Sequence, residues 1–229
     1  MQIIKYFCHS SLNASMKTIF SSSAFPPISY VIRMLLAENV FTDLGENYIK
    51  QTYRNRYEIY TAAGRKPISV PVKKQDGNHT SMHRMLLSDH EPWQRTHWRT
   101  IKAAYQNSPF FIHYEAEIEA LIQTERKYLY QYNEACLQGI FTLLEIQFQN
   151  EYIKEYYKGE GIDLRNYFTP KNSNQVTNVL NALPYHQVFE EKHGFIADLS
   201  ILDLIFNLGP EATYYLETAK KAYLSASAG

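Results

Sequence analysis

The chain has 229 residues, long enough for one large domain or for a domain with a subdomain. Hydrophobic residues make up 45% and charged residues 20%, with Lys plus Arg equal to Asp plus Glu at 23 each, so no global basic field argues for a nucleic-acid partner. No apolar run reaches the roughly 18 residues that a membrane-spanning helix needs.

The opening "MQIIKYFCHSSLNASMK" has only a short apolar patch before polar residues and makes a poor signal peptide. Residues 1–15 are therefore expected to be an extension, with a single domain over 16–229. "KTIFSSSAF" reads as a first strand running into a small-residue loop. "PPISYVIRMLLAEN" supplies a helix, with Pro tolerated at its opening turn, and "VFTDL" a second strand. "TYRNRYEIYTA" and "KPISVPV", joined by "AGR", look like a hairpin, and "TSMHRMLLS" is expected to extend the same sheet. The pattern then turns helical. "SDHEPWQRTHWRTIKAAYQ" begins with a Ser-x-x-Glu capping pattern, and "PFFIHYEAEIEALIQ" and "RKYLYQYNEACLQGIFTLLEIQ" read as two further helices. "NEYIKEYY" is ambiguous, and residues 158–181 read as a long connection. At the end Ser200 can cap a helix, and Gly209–Pro210 separates two helices. The fold class is α/β: a mixed sheet from the N-terminal half, with a helix-rich C-terminal half.

Side-chain chemistry offers several candidates. In "YRNR", read as a strand, Arg54 and Arg56 share one face while Tyr53 and Asn55 point away. Two guanidiniums on one face make a fork for a carboxylate or phosphate, and exposed ion pairs are the alternative. The helix "WQRTHWRTIKAAY" puts Arg95, Arg99 and Lys102 on one flank and Trp93, His97 and Ile101 on another. Arg99 offers a second anion contact. His97 is a candidate proton carrier, or else a hydrogen-bonded structural residue beside Trp93.

In "PYHQVFEEKHGF" His186, Glu190 and His193 fall on one helical face. The histidines sit seven positions apart, roughly 10 Å along a helix axis, too far for one zinc ion with ligands at roughly 2 Å. No metal site is expected. Cys8 and Cys136 make no disulfide framework, and a reducing, cytoplasmic setting fits them. Cys136 reads as a small core residue. The 19 tyrosines, apolar bodies with polar tips, suit wet pockets. There is no Gly-rich phosphate loop and no nucleophile elbow, and the residues alone identify neither a cofactor nor a reaction.

Taken in order, "SSAFPPISYVIRML", "ENYIKQTYRNRYEI", "ISVPV", "WQRTHWRTIKAAYQNSPFFIHY" and "PYHQVFEEKHGFIADLSILDLIFNLGPEA" resemble the WbqC-like family over residues 19 to 212. In that family the "PY-x-QVF-x-x-KHGF" segment leads into the terminal helix, so the histidine cluster belongs to a shared pocket or scaffold. Here Asp198 stands where Asn is usual, and Ser21–Ser22–Ser23–Ala24 where many members carry His-Gln-Pro-Asn. The resemblance implies a cytoplasmic enzyme of surface-polysaccharide (O-antigen type) biosynthesis, transferring glycine or a similar acyl group to an amino sugar. Its small-molecule substrate would be of the nucleotide-sugar kind. A non-catalytic binding or assembly protein of the same pathway is the alternative. The site this implies draws Lys50, Tyr53, Arg54, Asn55, Arg56, Arg99 and Asn207 to the substrate, with His97 or His193 moving a proton. The "KHGF" turn and the "LSILDLIFNLGPE" segment would form one wall of its pocket.

Overall fold

The computed structural model describes residues 16–171 and 174–227, so the extension expected over residues 1–15 lies outside the described residues. The chain opens with β1 (Lys17–Phe20), α1 (Ile28–Leu36) and β2 (Asn39–Asp43), the strand–helix–strand unit that the apolar runs predict. A hairpin follows, β3 (Arg56–Thr61) and β4 (Gly64–Ser69), then the short strands β5 (Val72–Lys73) and β6 (Leu86–Leu87). Three helices occupy the middle: α2 (Trp93–Tyr105), α3 (Phe111–Gln123) and α4 (Leu129–Leu143). The chain then returns to strand in β7 (Glu151–Ile153) and β8 (Ile162–Asp163). It ends in α5 (Gln175–Asn181), α6 (Glu190–His193), α7 (Ile201–Leu208) and α8 (Glu211–Ser227).

β1 and β2 run parallel, in register from Lys17 opposite Asn39 to Phe20 opposite Thr42. β7 joins the outer side of β2 and β8 the outer side of β1, both parallel, giving the order β7-β2-β1-β8. Parallel strands are usually covered on both faces, and Ile19, Phe20, Val40 and Phe41 are accordingly all buried. Both outer strands come from stretches with weak patterns, "NEYIKEYY" and the supposed connection 158–181, which also holds α5. Two- and three-residue strands carry too few side chains to show a period.

The hairpin β3–β4 forms its own antiparallel sheet, with Arg56 opposite Ser69. "TSMHRMLLS" does not extend it: Leu86 and Leu87 pair with Lys73 and Val72 in a separate ladder. The Ser-x-x-Glu pattern does not cap α2 either. Ser88 lies outside the helix, its amide bonded to the Pro71 carbonyl at 2.9 Å, and the helix starts after Pro92. By contrast Ser200 caps α7 as expected, its hydroxyl accepting from the Leu202 amide at 3.3 Å. That helix ends at Gly209, where φ is +53° and a Cβ would lie 2.4 Å from the Phe110 ring, so only glycine fits. α1, α5, α7 and α8 pack together, while α2 and α7 both meet β3. Cys136 is buried in α4, where lost hydration pushes its thiol pKa up, as expected of an inert core residue. Among the described residues no helix is long and apolar enough to cross a membrane.

Candidate functional site

At the end of β2 the Asp43 carboxylate accepts from the amides of Gly45 (2.8 Å) and Glu46 (3.1 Å), turning the chain into the loop that leads to β3. That loop returns an arginine to the same place. Arg54 lies in a turn before β3, not within the strand, and is 1% exposed. Its Nε and Nη2 grip both Glu46 oxygens, at 2.9 and 2.5 Å. Nη2 also donates to the Arg165 carbonyl and the Asn166 side chain, both at 3.1 Å. Arg165 in turn donates to Asp43 at 2.6 Å and to Asp163 at 2.5 Å. The two ion pairs tie together the carboxyl ends of β2 and β8. Burial outweighs the pull of Arg54 and raises the Glu46 carboxyl to about 7.

Two residues further on, Arg56 has the opposite surroundings. It helps line an open cleft of about 360 Å³ with Tyr48, Lys50, Gln51, Asn55, Ser69, Val72 and Lys74. Three of these lining residues are cations and none is acidic. The Arg56 Nε is buried and has no hydrogen-bond partner among the described residues. Asn55 fixes the shape: its amide nitrogen donates to the Val70 carbonyl at 2.8 Å, and its own carbonyl accepts from the Val70 amide at 2.8 Å. Gln51 on the rim holds φ at +59°, a conformation that costs a non-glycine residue free energy and is seen most often at constrained sites. The Lys50 ammonium and the Arg56 guanidinium, in a lining that holds no acid, offer a cationic receptor for phosphate or carboxylate.

The cleft thus gathers Lys50, Asn55 and Arg56 and leaves the other residues singled out from sequence elsewhere. Arg54 is taken up by Glu46. Tyr53 is buried on the other side of the turn, its hydroxyl 3.4 Å from Glu58. His97 is buried against the Trp93 ring, with Nδ1 3.1 Å from the Tyr57 hydroxyl, and it also bonds the Ser69 backbone. Lost hydration lowers its pKa to about 4, so the ring is neutral near pH 7. Arg99 is exposed on the outer flank of α2, with Arg95 and Lys102, as the helical spacing predicts. His193 is exposed, its Nε2 bonded to the Ala62 carbonyl at 2.9 Å, where it pins the "KHGF" turn to the hairpin loop. Gly194 there has φ +72°. Asn207 is buried in α7 and donates to the Asp203 carbonyl at 2.8 Å. None of these six lines the cleft.

Sequence patterns do not single out several members of the site. Ser69 is legible in principle, since hairpin pairing puts it opposite Arg56. Tyr48 and Lys74 come from loops, where no period exists to place them. Two buried carboxylates outside the cleft are also not marked from sequence as ligand-binding or structural hubs. Asp198 sits at φ +57°, a value that Asp and Asn tolerate best, and accepts from the Ser29 amide and hydroxyl and from Thr177. Asp203 accepts from Tyr105, Tyr185 and Gln187. Burial raises the pKa of both, and their donors make them scaffold hubs. His186 pairs with Glu190 at 2.8 Å on the surface, and among the described residues no group of three or more His, Cys, Asp or Glu is placed to hold a metal ion.

Fold and site together define an α/β protein with a short parallel sheet, a helix-rich second half and a cationic cleft at the base of a β-hairpin. Residues 22–166 match the WbqC-like protein family, and the chain belongs to that family. It is also similar to the uncharacterized protein Rv1507c of Mycobacterium tuberculosis, 28% identical over 199 residues that cover 76% of this chain and 85% of the relative. No solved structure matches the chain.

Proposed function

We propose that this protein is an enzyme of surface-polysaccharide (O-antigen type) biosynthesis that holds a nucleotide sugar by its phosphates and serves glycyl or acyl transfer to the amino sugar. The observation that carries the reading is the cleft lined by Lys50 and Arg56, with no acidic residue in its lining among the described residues. A diphosphate matches that charge, and Arg56 supplies a directional donor where Lys50 supplies point charge. Asn55 adds rigidity, being tied at both ends to the backbone of Val70. The volume of about 360 Å³ holds the phosphates and part of the sugar or base, within the range of small-ligand sites.

A second reading, a non-catalytic binding or assembly protein of the same pathway, draws support from the two histidines. His97 and His193 are both engaged with partners in the protein, so neither is poised to move a proton at the cleft. One experiment separates the readings. Calorimetric titration with UDP-N-acetylglucosamine, UDP and free N-acetylglucosamine is expected to show binding of both phosphate-bearing ligands, weakened at least about tenfold by Arg56→Gln. Equal affinity of the variant and the parent protein would remove the cleft from the proposal. Binding without turnover of any glycyl or acyl donor would select the second reading.

A further inference from the structure

The geometry points to a second ligand site, chemically unlike the cationic cleft: a crevice between α4 and β7 that takes the ring of an uncharged hexose or N-acyl hexosamine. The crevice has a volume of about 420 Å³ and is lined by Arg126, Gln131, Glu134, Gln138, Asn150 and Tyr152. Gln131, Glu134 and Gln138 recur at spacings of three and four along α4 and so present one polar face. Opposite them Tyr152 lies next to Thr42 in the parallel ladder, and Asn150 is hydrogen-bonded to Thr42. One cation and one anion balance; Gln138 offers both a donor and an acceptor, Gln131 keeps its amide nitrogen while its oxygen accepts from the Tyr128 amide at the cap of α4, and Asn150 is bonded to Thr42. That inventory suits a ring of hydroxyl groups, each of which both donates and accepts, better than a phosphate.

The floor of the crevice supplies the second observation. Glu134, Asn150 and Tyr152 are also the wall of a small hollow lined by Ser22, Ser23 and Asn133, at the carboxyl end of β1. The Ser23 hydroxyl and the Asn133 side-chain carbonyl oxygen are buried there without a hydrogen-bond partner among the described residues. Both residues are 1% exposed. Buried polar atoms in native proteins are almost always satisfied, so two orphans lining one hollow call for a partner. As it stands the hollow is closed to a water and to a hydroxyl alike, so a partner reaches these two atoms only when its wall gives way. Asn133 cannot turn to relieve the defect: its amide nitrogen is already fixed to the Ser22 hydroxyl at 2.9 Å and the Arg54 carbonyl at 2.8 Å. Glu134, a flexible half-buried side chain on the shared wall, is the group that yields. A ligand hydroxyl entering past it donates to Asn133 and bonds the Ser23 hydroxyl. The position agrees with the general habit of α/β sheets, which bind ligands outside the carboxyl ends of their parallel strands.

This site does not depend on the reading of the cationic cleft, and the two are titrated separately. The full chain is titrated with N-acetylglucosamine and, in a second series, with inorganic phosphate, with backbone amide shifts as the readout. The sugar is expected to produce saturable shifts at residues 131–138 and 150–152, with phosphate acting instead around Lys50 and Arg56. Gln138→Ala, at an exposed position, tests the wall with no risk to the fold. Ser23→Ala tests the floor: it should weaken the sugar about fivefold or more while leaving Tm unchanged or higher, because it removes an orphan. The site is ruled out if no saturable shift appears along α4 and β7 up to about 100 mM sugar. It is equally ruled out if the sugar acts only at the Lys50–Arg56 cleft, if phosphate rather than sugar moves α4, or if Ser23→Ala lowers Tm with no effect on sugar affinity. Failure of phosphate to act at Lys50 and Arg56 would count against the cationic cleft alone.

Discussion

Arg54 and Arg56 stand two residues apart in the sequence and do opposite things. Arg54 is 1% exposed and spends its donors on Glu46, Arg165 and Asn166. Arg56 opens onto a cleft without acids and keeps one buried donor without a partner among the described residues. The contrast shows that a guanidinium's role depends on which carboxylates the fold brings to it, more than on its neighbours in sequence. A charge neutralised inside the protein holds elements together, whereas a charge left uncompensated at a cavity is available to a ligand.

The largest expected effect breaks the buried half of this comparison. Arg54→Gln leaves Glu46 and the oxygens of Arg165 and Asn166 without their donor in the interior and is expected to destabilise the fold by about 3 to 5 kcal/mol in urea unfolding at pH 8, above the Glu46 pKa of about 7. Glu46→Gln should recover much of that loss in the double variant, because the uncompensated carboxylate is then gone. An Arg54→Gln protein as stable as the parent would show that the pair is not structural.

His97 gives the next effect, and it depends on pH. The folded ring stays neutral down to about pH 4, while in the unfolded chain it takes up a proton near 6.5. Its contribution is therefore complete above pH 6.5 and falls away as the pH drops toward 4, by up to about 3 kcal/mol. His97→Gln should flatten this part of the stability profile, read as the difference between parent and variant from pH 7 to 4. An unchanged difference across that range would place the histidine in a solvated setting.

On the open half of the comparison, Lys50→Gln combined with Arg56→Gln is expected to weaken phosphate-bearing ligands by about 10- to 100-fold. Its cost in stability should be no more than about 1 kcal/mol, since neither side chain completes an ion pair in the described residues. Loss of folding in this variant would mean that the cleft is held together by these cations. The smallest effect is that of His193→Ala. One surface bond to the Ala62 carbonyl is lost, and both stability and ligand affinity should stay within about 0.5 kcal/mol of the parent. A large loss of turnover would restore this histidine to the chemistry.

Much of the fold is legible in the residues themselves. The apolar runs of β1, α1 and β2 are long enough to show a period, and so are the two flanks of α2, with Trp93, His97 and Ile101 inside and Arg95, Arg99 and Lys102 outside. The cap at Ser200 and the break at Gly209 rest on backbone chemistry that acts within a few residues. Local rules of that kind operate wherever the residues occur. By itself the sequence determined an α/β chain with a helix-rich second half, and it marked Lys50, Asn55 and Arg56 as residues to watch.

Only the tertiary structure decided which of the marked residues meet. β7 and β8 form because β2 and β1 offer open edges, and two or three residues carry no pattern of their own. Ser88 is held by Pro71 from a distant part of the chain and so never caps α2. The shared strand face expected of Arg54 and Arg56 disappears because the turn before β3 delivers Arg54 to Glu46, and Asp43 and Arg165 secure the same corner from distant parts of the chain. Hydrogen bonds and ion pairs act over about 3 Å whatever the separation in sequence, while periodicity reports only which face a residue takes within its own element.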